Sequence, residues 1–191
     1  GQTALEVSHV SKETKDIFED TCDGNVPTPS EDASCSYYLM ANLPDLARDY
    51  QGAILKLESR ATDWMYLLAS YTWSESQGSV EYNQNAGSDF DIYPDHFVNR
   101  YGNLSDDRTH RVKLNGYFML PLNFTIGFDV YWSSAFAYSR TIAAVDAGYG
   151  TEYLDPRGAH RANDNYQLDL SASWGPQLGP IRIELIGAVL N

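Results

Sequence analysis

The chain has 191 residues, long enough for one sizeable domain. Lys and Arg number 13 against 26 Asp and Glu, a net charge of −13, which excludes a nucleic-acid surface because phosphate binding needs a basic footprint. Its 14 Tyr and 4 Trp favour strands and interfaces over helical bundles.

A first strand is expected over about 3–18, where Leu5 and Val7 fit an alternating pattern but Lys12–Asp16 is polar throughout. Cys22 and Cys35 then flank the polar loop DGNVPTPSEDAS. They lack metal-type spacing, so one disulfide is expected, closing a loop of about fourteen residues and adding roughly 3 kcal/mol. That pairing implies an oxidising compartment; two unpaired thiols are the alternative. In QGAILKLESR, Ala53, Leu55 and Leu57 share one side, and Lys56, Glu58 and Arg60 the other. After a short turn at 61–63, Met65, Leu67, Ala69, Tyr71 and Trp73 alternate with Trp64, Tyr66, Leu68, Ser70 and Thr72. Val112, Leu114, Gly116 and Phe118 then oppose Arg111, Lys113, Asn115 and Tyr117. The turn Leu120–Asn123 leads to Phe124, Ile126, Phe128, Val130 and Trp132, which alternate with Thr125, Gly127, Asp129 and Tyr131. Tyr166, Leu168, Leu170, Ala172 and Trp174 form a further apolar side, and after GPQLGP a last strand is expected over 181–190.

The links between these strands alternate long (about 19–48, 75–107 and 138–163) and short (61–63, 120–123 and 175–180). Tight turns at one end of a sheet and large loops at the other are the layout of an outer-membrane barrel, and a soluble sandwich has no reason to sort its loops so. The apolar side of the six clear strands carries no charge, while the other carries Lys56, Glu58, Arg60, Arg111, Lys113, Asp129, Asp169, Arg182 and Glu184. Tyr71, Trp73, Trp132 and Tyr166 fall at the long-loop end of the apolar side, and Phe118, Phe124 and Trp174 at the short-turn end. Two aromatic belts around an aliphatic band match the two headgroup levels of a bilayer, so these seven are expected to face lipid. The mean hydropathy of −0.40 is no objection, since only alternate residues of a barrel face lipid. No apolar run is long enough for a transmembrane helix. The expected fold is therefore all-β, with antiparallel up-and-down strands forming part of a large transmembrane β-barrel.

Four stretches taken together resemble the C-terminal barrel of TonB-dependent outer-membrane receptors, most of all the Oar-like type. They are ETKDIFEDT (Glu13–Thr21), RDYQGAILKLESRATDWMYLLASYTWSES (Arg48–Ser76), DDRTHRVKLNGYFMLP (Asp106–Pro121) and NYQLDLSASW (Asn165–Trp174). The resemblance implies a barrel of about 22 strands with an N-terminal plug, energised by TonB and placed in the bacterial outer membrane. About seven strands are expected here. There is no plug, no TonB box and no aromatic final strand after GAVLN, so residues 1–191 are expected to be a barrel segment of a larger receptor. Its partners would be outer-membrane lipid, other strands of the same barrel, the TonB system through the plug, and a surface lipoprotein.

No catalytic residue is expected. His9, His96, His110 and His160 stand in no HExxH or Cys/His ligand spacing, and no nucleophile elbow is present. His110 fits a hydrogen bond at the lumen or rim. No resident cofactor is expected, although Asp89, Asp91 and Asp95 in GSDFDIYPD are candidates for Ca²⁺, with solvated surface acids as the alternative. The loop aromatics Tyr82, Phe90, Tyr93, Phe97, Tyr101, Tyr149 and Tyr153 either stack on a captured ligand or pack the loops together. The expected function is uptake of a scarce chelate, glycan or peptide. A plug-less diffusion channel and a secreted β-sandwich binding module are the alternatives.

Overall fold

The computed structural model describes residues 1–22, 38–43, 46–81, 98–143 and 151–191. Seven long strands carry it: β1 (Gln2–Thr14), β4 (Arg48–Thr62), β5 (Met65–Gly78), β7 (His110–Leu120), β8 (Phe124–Ser133), β13 (Asn165–Trp174) and the shorter β16 (Leu185–Val189). Between them lie β2 (Ile17–Cys22) and β3 (Tyr38–Leu43), then β6 (Gly102–Asn103), then β9 (Ala137–Tyr138), β10 (Thr141–Ala143), β11 (Thr151–Tyr153) and β12 (His160–Arg161), and finally β14 (Gln177–Leu178) and β15 (Ile181–Arg182). The sheet order is β1-β4-β5-β7-β8-β13-β16, every neighbour antiparallel, so chain order and spatial order coincide. Among the described residues β1 and β16 each pair on one side only, and no helix is long and apolar enough to cross a membrane, which says nothing of crossing by strands.

Cross-strand partners point to the same side of an antiparallel sheet, so the register defines rows. One row runs Val7, Leu55, Tyr71, Val112, Trp132, Tyr166. The next runs Leu5, Leu57, Ala69, Leu114, Val130, Leu168, and a third runs Leu67, Gly116, Phe128, Leu170, Val189. At the turn end Leu120, Phe124, Trp174 and Leu185 make the last. Rows on the opposite face alternate with these: Glu6, Lys56, Ser70, Lys113, Tyr131, Gln167, then Ala4, Glu58, Leu68, Asn115, Asp129, Asp169.

Two of the three turn ends, at 63–64 and 121–123, are tight, as expected; the third, expected at 175–180, runs to residue 184. A 3-10 turn joins β7 to β8, opened by Pro121 and closed through Leu122 and Asn123 at φ 64° and 62°. Trp174 Nε1 donates to Leu122 O at 3.1 Å and its ring stacks on Phe124 with centroids 5.7 Å apart, so the turn and the belt position fix each other. Mid-sheet, Gly116 has no room for a side chain: a Cβ there would lie 2.3 Å from Tyr66 O and 3.1 Å from Phe128 Cζ.

Two sequence expectations need correction. The first strand does not run to Phe18; β1 ends at Thr14 and the chain turns at Asp16, whose φ is 50°, before starting the separate hairpin of β2 and β3. The last strand is not continuous over 181–190 either. Ile181 and Arg182 pair back on Gln177 and Leu178 around Gly179 at φ 63°, and pairing with β13 begins only at Leu185. Alternation continues through such a break, which is why the pattern concealed it.

Burial is inverted relative to a soluble domain. The apolar face of the sheet is open, with Leu168 and Leu170 each 45 % exposed. The few buried hydrophobic residues described, among them Leu46 (0 %), Val80 and Leu104, lie in the loops beyond the strand ends, together with buried Asp107 and Arg157. Leu168→Arg should therefore impair membrane assembly, at about 2–4 kcal/mol near the bilayer midplane. Ser171→Arg, on the other face, should be tolerated. The folded fraction of each, from mobility of unheated samples on a detergent gel, checks the pair; equal behaviour would contradict the facing.

Candidate functional site at the long-loop end

Every long connection emerges at the same end of the wall, and polar contacts knit two of them into a cap. The first knot is the segment DRTHR. Asp107 is 2 % exposed and accepts the Ser76 amide of β5 at 2.8 Å, while its second oxygen meets Arg161 Nη2 at 2.5 Å. Its own carbonyl accepts from Arg161 Nη1 at 3.1 Å, and its amide donates to Leu104 O at 2.9 Å. Asp106 beside it accepts from Ser76 Oγ at 3.1 Å and from Arg48 Nη2 at 2.9 Å. Arg108 donates to Ser133 Oγ at 3.2 Å and lies over the Phe136 ring at 5.4 Å. Consecutive residues thus reach β5, β4, β8 and the 134–164 loop, so the start of β7 ties neighbouring elements before the strand descends.

The second knot joins the 79–109 loop to the 134–164 loop. Arg157, 4 % exposed, donates to Ser79 O at 2.6 Å and to Glu81 Oε1 at 2.5 Å. Arg100 reaches the same Ser79 carbonyl at 3.0 Å. Both guanidinium groups lie over the Tyr153 ring, at 5.8 Å for Arg100 and 5.4 Å for Arg157. Glu81 also accepts from the Ser105 amide at 3.2 Å and its hydroxyl at 3.1 Å. Burial pushes the Glu81 carboxyl up, but the hydrogen bond and charge of Arg157 and the two Ser105 bonds outweigh it, so the group sits below its ordinary value of 4.5. The docking is close: Gly158, at φ 66°, would place a Cβ 2.2 Å from Asn103 O. Further out, Arg140 clamps Asp155 with bonds of 2.6 and 2.7 Å and His160 adds a third at 2.9 Å; all three hold that carboxyl well below the usual carboxylate range.

The belt residues take defined places. Tyr71, Trp132 and Tyr166 share one row and Phe124 and Trp174 another; Trp73 pairs with His110 and Phe118 with Ile126, all on the apolar face. Tyr71 Oη lies 2.8 Å from His110 Nδ1; His110 opens β7 at the long-loop end on the apolar face, which places it at the rim and not in the lumen. Trp132 Nε1 donates to Asp164 at 3.2 Å. Of the loop aromatics, Tyr153 packs under the two arginines, and Tyr101 bonds Asp49 at 2.8 Å in the row Glu13, Asp49, Gln77 on the apolar-face side. Tyr82, Phe90, Tyr93, Phe97 and Tyr149 lie outside the described residues, as do the Ca²⁺ candidates Asp89, Asp91 and Asp95 and the Cys35 partner of the expected disulfide.

Sequence periodicity missed Arg100, Arg157, Arg161 and Glu81, because ion pairs between loops have no spacing. One signal was available: arginines and glycines concentrated in otherwise acidic loops, as in DPRGAHR (Asp155–Arg161).

Residues 2–127 match the family described as outer membrane beta barrel domain, and the chain belongs to that family. It is accordingly an all-β outer-membrane barrel protein of the bacterial outer membrane, and the sheet is a section of barrel wall. The fold is similar to that of the outer membrane transporter YddB from Escherichia coli, with a TM-score of 0.60 and 14 % identity over 100 % of this chain and 26 % of the transporter chain. The chain thus spans about a quarter of the length of that transporter. No curated protein matches the sequence.

Asp107→Ala should destabilise the cap by about 1–3 kcal/mol, since it strands the buried Ser76 amide. Asp107→Asn keeps that acceptor and should cost less; urea unfolding in detergent orders the two. A depressed carboxylate pKa contributes stability that is present above the unfolded value and lost as pH falls through the folded one. Protection of the Ser105 and Asn103 amides from hydrogen exchange, corrected for intrinsic rate, should therefore fall below about pH 4.5 in the wild type, and that dependence should vanish in Glu81→Gln.

Proposed function

We propose that residues 1–191 form a C-terminal barrel segment of a TonB-dependent receptor of the Oar-like type, a transport component that takes up a scarce chelate, glycan or peptide. The observation that carries this is an open wall of seven long strands whose fold matches about a quarter of a transporter chain over its full length. Seven strands about 4.8 Å apart give a wall roughly 30 Å wide, far short of the circumference of a plugged barrel of about 22 strands. The plug, the TonB contact and the remaining strands would come from outside this segment, with a surface lipoprotein as a further partner.

The apolar rows support a bilayer-spanning placement. From Trp132 to Phe124 the strand covers about 27 Å, and a tilt of 35–45° reduces this to roughly 20 Å along the membrane normal, near the ~25 Å apolar band of such barrels. In this reading the long-loop end faces outward, and the cap built on Asp107 and Arg157 holds the vestibule loops in place.

The receptor expressed from its full reading frame should stay with outer membranes through alkaline extraction without detergent. It should also retain the purified periplasmic domain of TonB. Release into the alkaline supernatant would favour a secreted β-module, and membrane retention without TonB binding would leave a diffusion channel.

A further inference from the structure

A pocket of about 360 Å³ opens on the polar face of the wall, just below the cap. Lys12, Thr14, Arg48 and Tyr50 line it, with Ile17 and Val80 on its apolar side. The register explains the convergence. Lys12 pairs with Tyr50 and Thr14 with Arg48, so four polar heads from two adjacent strands project to one side. The Tyr50 ring lies over Gly52, where a Cβ would stand 2.9 Å from its hydroxyl oxygen. Ile17 packs on the small cluster of Leu46 and Val80, which gives the pocket an apolar flank.

Charge sets the ligand class. Arg48 is paired with Asp106 at 2.9 Å, and Glu81 at the pocket edge is held by Arg157. Among the described residues Lys12 therefore brings a positive charge that no ion pair engages, beside the Thr14 and Tyr50 hydroxyls. Lipid is excluded as the source of a counter-ion, because Lys12 and Arg48 stand in the same alternate set as Lys56 and Asp129, opposite Leu55 and Leu168.

We propose that this pocket binds an anionic oxygen group of the transported ligand, a carboxylate or a phosphate, through the Lys12 ammonium and the Thr14 and Tyr50 hydroxyls. Ile17 and Val80 take an adjoining apolar part of the ligand. The proposal rests on the transport reading above and adds the substrate class and the residues that select it.

The test is ligand-observed NMR titration of the intact receptor in detergent, with succinate, inorganic phosphate and neutral maltose as probes. At least one anion should bind, maltose should not compete, and raising ionic strength should weaken the interaction. Lys12→Gln, at an exposed position, should weaken anion binding about tenfold, the loss expected of one charge-assisted hydrogen bond, with barrel assembly unchanged on unheated gels. Tyr50→Phe should weaken it by a smaller factor. Whichever anion binds identifies the carboxylate or phosphate source. If neither binds the wild type, or if Lys12→Gln binds as tightly, Lys12 only guards the edge of β1 and the proposal is overturned. Binding in detergent needs no energy source, so that failure is separable from a failure to retain TonB.

Discussion

The antiparallel ladder governs this protein, because a backbone crossing hydrocarbon has no water to satisfy its amides and carbonyls. Pairing must therefore be continuous from β1 to β16, and its register decides which side chains meet lipid. With a side-chain period of two, a slip of one residue would turn Leu114, Val130 and Leu168 inward and Lys113, Tyr131 and Gln167 outward. The tight turns guard against that slip. Leu122 and Asn123, in left-handed conformations, and the Trp174 bond to the Leu122 carbonyl lock three strands at their turn ends.

Continuous pairing also explains where the buried residues are. A single-layer wall has no second layer to pack against, so its Leu, Val and Phe side chains remain open for the bilayer to cover. What is packed lies beyond the strand ends, where water is available and loops must be held by their own contacts. There the chain uses hydrogen bonds to carbonyls and ion pairs. Asp107 serves the Ser76 amide and Arg161 together, and Arg157 serves the Ser79 carbonyl and Glu81. A charge so thoroughly partnered is tolerable in a buried place, and losing one partner leaves the other exposed to the desolvation penalty.

On the transport reading proposed above, the long-loop end of the wall is where a ligand would meet a shaped surface. Arg157, Tyr153 and Glu81 tie the described parts of the 79–109 and 134–164 loops together beside the pocket of Lys12, Arg48 and Tyr50.

Much of the wall was legible in the order of residues alone. Strand identity, the facing of Leu55, Tyr71, Leu114, Phe128 and Leu170, and the sorting of short turns from long loops all follow from local alternation, because a period of two is set by the geometry of each strand without reference to its neighbours. Other features required the folded chain. Where β1 stops and the β2–β3 hairpin starts, and why Ile181 pairs back on Leu178 instead of continuing the sheet, depend on turn conformations that alternation does not encode. The partners of Asp107, Arg157 and Glu81, and the meeting of Lys12 with Tyr50, depend on register between segments far apart in the chain. Such contacts exist only once the strands are paired, so no spacing in the one-dimensional sequence could announce them.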